Sequence, residues 1–355
     1  MYNIYFAKTE QLESFAKELK KLARVFAPLA KDAQSPKQTD YLYQRLCEDT
    51  ALAFNPYRTV EPLKSFFTYK YEKVADYFNS AKNLTDITEK TVIFGVKSCD
   101  IAGHKIQDFV FLEGVEVDSL YRARRENTII ISGDCTDFKE VCHCLAWEIM
   151  PFPSAGFDLN LSPLNDGFIV EVGSKKGQEL VNQHKDYFTP VKDTQIAGRN
   201  AKRQSILDRL KRHLLFQNLV SKDQVQNLIR EGFSLDTWKE FMLNCVECGG
   251  CNFICDTCHC FLLADSSQKQ QQNGKLRLWD SCQYKNYARV AGGANPQKTR
   301  AARLRFRFTK KFDFFVDNLG APACCGCGRC IEVCPGKIDI REVLKDLANK
   351  LKKQQ

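Results

Sequence analysis

At 355 residues, with a net charge of +9 and 17 cysteines, the chain is long for a single module and far richer in thiols than packing alone requires. A mean hydropathy of -0.37, and no apolar run approaching ~20 residues, exclude a helical membrane span. The opening segment MYNIYFAKTEQLESFAKELKKL has no apolar signal core, so reduced thiolates in a cytoplasm are expected rather than exported disulfides.

In chain order, residues 1–80 read as mixed and mostly helical. Leu12, Phe15, Leu19, Leu22 and Val25 recur at helical spacing over 11–25, and 26–65 read as loop with short elements. The apolar runs 91–97, 127–132 and 167–172 read as buried strands, the first followed by a loop and a helix over 101–112. Strands alternating with helical segments predict an α/β domain. Two of these strands deliver Cys99 and Cys135 just past their C-terminal ends, where open α/β sheets bind ligands.

Residues 175–240 predict a helical bridge, with helices at 175–184, 200–218 and 223–230. Ser234 or Asp236 is placed to cap a further helix that carries Trp238 and Phe241. Composition then changes abruptly, with twelve cysteines between Cys245 and Cys334. An insertion over 261–323 holds a polar stretch at 266–275, read as loop, and a basic helix over roughly 296–315. A last amphipathic helix starts at Asp339. The predicted architecture is an α/β N-terminal domain with its bridge over 1–240, an α+β ferredoxin-like domain of the bacterial two-cluster type over 241–345, and a basic helical tail over 346–355.

Two thiol runs carry the chemistry. Cys324-x2-Cys327-x2-Cys330-x3-Cys334-Pro335 is the bacterial ferredoxin spacing, in which three thiolates hold one cube and the fourth reaches its neighbour. Cys245-x2-Cys248-x2-Cys251-x3-Cys255 repeats it, with Asp256 where proline is usual. The expected sets are Cys245, Cys248, Cys251 and Cys334 for one 4Fe-4S cluster, and Cys324, Cys327, Cys330 and Cys255 for a second. Zinc is the competing metal, but zinc ribbons pair two C-x2-C groups rather than stepping three cysteines by threes. Cys325, inside the second run, reads as a packed thiol.

Cys99, Cys135, Cys142 and Cys144 are candidates for a third cluster, with ordinary buried cysteines as the alternative. Cys258, Cys260 and Cys282 form a candidate further site. It is also where an enzyme with an open coordination position would be sought. On the basic helix, Arg300, Arg303, Arg307 and Lys310 read as a partner-docking face. Its interleaved Phe306, Phe308 and Phe312 suit a buried helix face better than base stacking, so nucleic acid is not expected. No P-loop or G-x-G-x-x-G pattern occurs, so a nucleotide site of the chain's own is not indicated.

An ordered set of motifs extends from about residue 55 onward: Gly95-Val96-Lys97-Ser98-Cys99-Asp100, Tyr121 with Arg124-Arg125-Glu126, Cys142-His143-Cys144, Gly156-Phe157-Asp158-Leu159, Trp279-Asp280-Ser281-Cys282, Ala291-Gly292-Gly293 with Asn295-Pro296, and the two cysteine runs. In this the chain resembles the 4Fe-4S dicluster electron-transfer subunits found in archaeal sulfhydrogenase, as its beta component, and in anaerobic sulfite reductase. Lys97-Ser98 stands where that family tends to have Arg-Pro. The resemblance implies a one-electron relay in a cytoplasmic hetero-oligomer, between a flavin-containing reductase subunit using NAD(P)H or a similar donor and a catalytic hydrogenase or sulfite reductase subunit. It also implies that cysteines outside the two runs are ligands.

Overall fold

The computed structural model describes residues 3–31, 39–47, 50–77, 87, 89–266 and 273–354. The N-terminal half is built on an eight-stranded mixed sheet. Its strands are β1 (Ile4–Lys8), β2 (Arg24–Lys31), β3 (Asp40–Arg45), then, after β4 (Tyr71–Asp76) of a second sheet, β5 (Thr91–Val96), β6 (Thr128–Gly133), β7 (Leu159–Pro163), β8 (Gly167–Val172) and β9 (Thr189–Pro190). The order is β3-β2-β5-β6-β7-β8-β1-β9. β2, β5, β6 and β7 run parallel, and the flanking pairs are antiparallel.

Helices cover both faces of this sheet, which is why β5 is buried along its whole length and reads as an unbroken apolar run. Helix α1 (Thr9–Leu22) lays Leu12, Phe15 and Leu19 on one face, against Val92, Phe94, Ile131 and Val170. On the other face, α2 (Ser98–Leu112) and α3 (Ser119–Glu126) place Phe111 and Tyr121 against Ile93, Val96 and Ile130.

After α4 (Lys175–Gln183), α5 (Asp193–Gln217) leads to α6 (Lys222–Glu231) and α7 (Thr237–Phe241). The cysteine-rich half holds two four-residue helices, α8 (Gly250–Phe253) and, later, α11 (Arg329–Glu332). Between them lie the hairpin β10 (Phe261–Ser266) and β11 (Gly274–Trp279), then α9 (Arg300–Thr309), which runs through a π-helical turn at Lys310–Phe314 into α10 (Phe315–Leu319). Helix α12 (Ile340–Gln354) closes the chain. Its Val343, Leu344 and Leu347 pack with Trp238, Leu304, Phe308 and Phe312. The second sheet has the order β10-β11-β4, so residues 71–76 complete a hairpin that lies some 200 residues later in the chain.

Several expectations are corrected. Residues 1–80 are not mostly helical but carry β1 to β4, with α1 the one α-helix among those described. The apolar spacing ran past the helix end. Ala23 is extended, Val25 belongs to β2, and Leu22 faces solvent. The short elements expected within 26–65 include the end of β2 and the whole of β3. Helix α2 starts at Ser98, not after a loop, because the Asp100 carboxylate accepts from the Lys97 N–H and caps its first turn. Cys99 therefore rides on a helix. Strands β10 and β11 enter the polar stretch from both sides, and its residues 267–272 lie outside the described ones.

Candidate metal centres

The two runs fold alike. Gly249 and Gly328 both have left-handed φ (74° and 71°) and start α8 and α11, which carry Cys251 and Cys330. Two residues after the first cysteine of each run, Glu247 (φ 58°) and Gly326 (φ 62°) also turn left-handed. The Glu247 N–H donates to Cys245 Sγ at 3.4 Å, and the Ile338 N–H donates to Cys334 Sγ at 3.3 Å. N–H groups aimed at sulfur are what thiolate ligands need for charge stabilisation. One cavity is lined by Cys245, Cys248 and Cys251 from the first run together with Cys334 from the second, and Arg307 and Cys330 line it as well.

Behind it, Cys255 from the first run lies among Cys324, Cys327 and Cys330. Burial pushes the Cys330 thiol up, as do Cys255 and Cys327, against the pull of Arg307. Cys327 is held down to about 6 by the Cys325 thiol that donates to it, helped by Arg329 and Arg58. The Lys311 Nζ, fully desolvated, sits 3.3 Å from Cys255 Sγ and otherwise meets only the Thr257 hydroxyl (2.6 Å) and the Ala323 carbonyl (3.0 Å). Arg307 donates to the Cys251 carbonyl at 3.3 Å, and its Nε has no partner. Among the described residues, neither cation has a carboxylate partner. An unpaired buried cation costs several kcal/mol, so both fit a site that holds negative charge, as thiolate-ligated iron does.

Cys99, Cys135, Cys142 and Cys144 come together past the ends of β5 and β6. The Cys144 thiol is pushed well up by burial and by Cys142 and Cys135. Cys135 is pushed up to about 12 by burial, with Cys142 adding to it against Lys97. Buried Lys97 enters the same region, its Nζ bound to the Asp134 carbonyl at 3.0 Å and to no carboxylate. The loop carrying Cys142 and Cys144 packs directly on the second run. The His143 N–H donates to the Gly326 carbonyl at 2.8 Å, and a Cβ on Gly326 would lie 2.5 Å from the Cys144 backbone. Cys325, as expected, is buried, and it packs with Cys99 and Cys327.

Sequence reasoning missed the buried residues that join the two halves. Asp256 is fully buried, accepts from the Lys64 N–H at 2.9 Å and meets Arg329 at 3.2 Å, while Asp100 also pairs with Arg329. Arg58 donates to the Cys327 carbonyl at 2.8 Å. The signal available was the acid in place of proline. The docking face is corrected in part. Arg303 and Arg307 point inward, Arg303 binding backbone carbonyls of Gln283, Gln297 and Lys298. Arg300 is exposed and Lys310 half-buried.

All seventeen cysteines are free thiols. Among the described residues, no three of His, Cys, Asp and Glu close on one point as a single metal ion requires. Thiols ranged around cavities suit polynuclear clusters, whose ligands bind different irons. The family described as 4Fe-4S dicluster domain matches residues 244–338. Fold and site thus define an iron–sulfur electron-transfer protein.

The chain is 32% identical to Sulfhydrogenase 2 subunit beta of Pyrococcus furiosus over 339 residues, 96% of each chain. It belongs to the 4Fe-4S dicluster subunit family that includes that protein. It is also 23% identical over 183 residues to F420-dependent formate dehydrogenase subunit beta of Methanocaldococcus jannaschii, a match covering 52% of this chain and 39% of that protein. No described helix is long and apolar enough to cross a membrane.

Proposed function

We propose that the chain relays single electrons between a catalytic subunit of hydrogenase or sulfite reductase type and a flavin-containing, NAD(P)H-type reductase subunit, in a cytoplasmic hetero-oligomer. The observation that carries this reading is Cys334 lining one cavity with Cys245, Cys248 and Cys251, the exchange of fourth ligands on which two-cluster ferredoxins depend. In this reading these four hold one 4Fe-4S cluster, and Cys324, Cys327, Cys330 and Cys255 hold a second. Cys99, Cys135, Cys142 and Cys144 hold a third, which buried Lys97 supports. Such clusters supply one-electron chemistry when bound. The chain's own residues exclude water, offer N–H groups to sulfur and surround the thiolates with fixed positive charge.

The relatives, subunits of a sulfhydrogenase and of a formate dehydrogenase, support a place inside a larger redox complex. Cys248 is exposed, and Leu243, Val246 and Val333, all exposed, lie within a few residues of cysteines of its quartet. That apolar patch is the proposed contact for one partner, with Arg300 and Lys310 as flanking positive charge for an acidic surface.

Iron and acid-labile sulfide analysis of anaerobically prepared protein tests the reading. Two clusters give about eight iron per chain and three give about twelve. Cys334→Ala is expected to remove about four iron and to abolish the magnetic coupling of the reduced pair. Unchanged iron in that variant, or a colourless protein holding zinc, overturns the assignment.

A further inference from the structure

Cys258, Cys260 and Cys282 take no part in the relay proposed above. Cys258 and Cys260 lie on the stretch between α8 and β10, and Cys282 lies just past β11. The fold brings Cys258 and Cys282 together around Asn252, 2% exposed, whose Nδ2 is 3.2 Å from Cys282 Sγ and 3.5 Å from Cys258 Sγ, and places Cys260 near Cys282. Gln283 Nε2 adds a second donor to Cys282 at 3.5 Å. Cys260 Sγ faces the Tyr287 hydroxyl at 3.4 Å and Lys310 Nζ at 3.7 Å. Each sulfur thus meets amide, hydroxyl or ammonium donors, and none meets a carboxylate. Cys258 also touches Cys255 of the second quartet, so the trio lies beside the relay.

A buried cation marks the same place. Lys64 reaches in from the N-terminal half, 3% exposed, and its Nζ binds only the backbone carbonyls of Asn252 (3.0 Å) and Cys258 (2.9 Å), above the Trp279 ring. Among the described residues, neither Lys64 nor Lys310 has a carboxylate partner. The buried Lys64 ammonium beside these thiols leaves charge uncompensated in a dry interior. Metal-bound thiolates remove that imbalance, and sulfur donors select iron–sulfur clusters over hard ions.

We infer that Cys258, Cys260 and Cys282 hold an additional iron–sulfur cluster through three of its irons, leaving the fourth iron without a cysteine and open to a small soft anion such as a thiolate. A cavity lined by Lys64, Cys258, Cys260, Arg277, Trp279 and Asp280 adjoins this corner; Arg277 is paired with Glu72 and Asp118, which leaves Lys64 as the unpaired cation facing it. The inference rests on the iron–sulfur reading of the chain but gives it a ligand-exchange site, which a relay alone does not need.

The test uses the full-length chain, reconstituted anaerobically with iron and sulfide, beside the double variant Cys260→Ala/Cys282→Ala. The expected loss is about four iron per chain, with the coupled signal of the ferredoxin-type pair retained. Cyanide, the probe for an open iron, is expected to perturb the electron paramagnetic resonance spectrum of the unaltered protein and not that of the variant. Equal iron in the two proteins overturns the inference, as does zinc in the trio. Should the variant lose all its iron, cyanide titration of the unaltered protein decides, and no perturbation overturns the inference. Absence of the coupled pair from the unaltered protein would instead sink the relay reading.

Discussion

Lys311 and Arg307 occupy the ground between the two cysteine runs, and neither has a carboxylate to balance it among the described residues. Burial opposes the charge on Lys311, but Cys255 and Cys258 more than restore it, so its ammonium is held on far above the usual lysine range. A fixed positive charge beside a cluster favours the reduced, more negative form. If the second quartet holds a cluster as proposed, Lys311→Met is therefore expected to lower its midpoint potential, by about 59 mV for each 1.4 kcal/mol of interaction lost. Anaerobic redox titration checks this, with the first quartet's cluster as the less affected reference.

Gly326 is constrained in a different way. Its φ of 62° and the 2.5 Å approach of the Cys144 backbone leave no room for a side chain. Gly326→Ala is expected to cost at least about 1–3 kcal/mol and to deplete iron from the second quartet and the N-terminal cysteines together. Iron content and urea unfolding of the variant report both effects.

At the level of elements, α12 holds the cysteine-rich half together through one apolar face. Leu347 is fully buried against the cluster that includes Trp238 and Phe308. Leu347→Ala is expected to cost about 2–5 kcal/mol, read as a lower urea midpoint under anaerobic conditions. This helix was legible in the sequence because Val343, Leu344, Leu347 and Leu351 recur at helical spacing. Strands β5, β6 and β8 were legible because burial on both faces makes them unbroken apolar runs. Strand β2 was hidden by Pro28, which the sheet tolerates because β5 leaves the ladder after Ile93 opposite Phe26, and Gly95 bulges beside the proline ring. The pairing of β4 with β11 has no local signature at all, since its partners lie some 200 residues apart.

The cysteine spacing exposed the two quartets, because ligand geometry is imposed over three or four residues. The cations beside them were illegible, because burial next to a distant thiol is a tertiary property. Arg303 and Arg307 were misread for that reason. On a basic helix nothing local separates the arginines that face solvent from those that face a metal centre.

Across the whole molecule, Asp256, Arg329, Asp100, Arg58 and Lys64 bind the α/β half to the cysteine runs through buried polar contacts. Buried histidines add a pH dependence. Burial lowers His104 to about 3 and His143 to about 4, so both stay neutral in the folded chain. Unfolded histidine titrates near 6.5, so below that pH the unfolded chain binds more protons than the folded one. Stability is expected to be complete above about pH 6.5 and to fall steadily toward pH 4. Anaerobic urea midpoints between pH 7.5 and 5 check the slope, and His104→Asn is expected to flatten it.

The surface position of Cys248 has a cost as well as a use. In the proposed reading, the chain apart from its complex presents this thiolate to whatever diffuses past, dioxygen included. Oxidative decay would then begin at the outermost cube and spread inward, so that an assembled complex outlasts its isolated component in air because the neighbouring protein serves as a stopper.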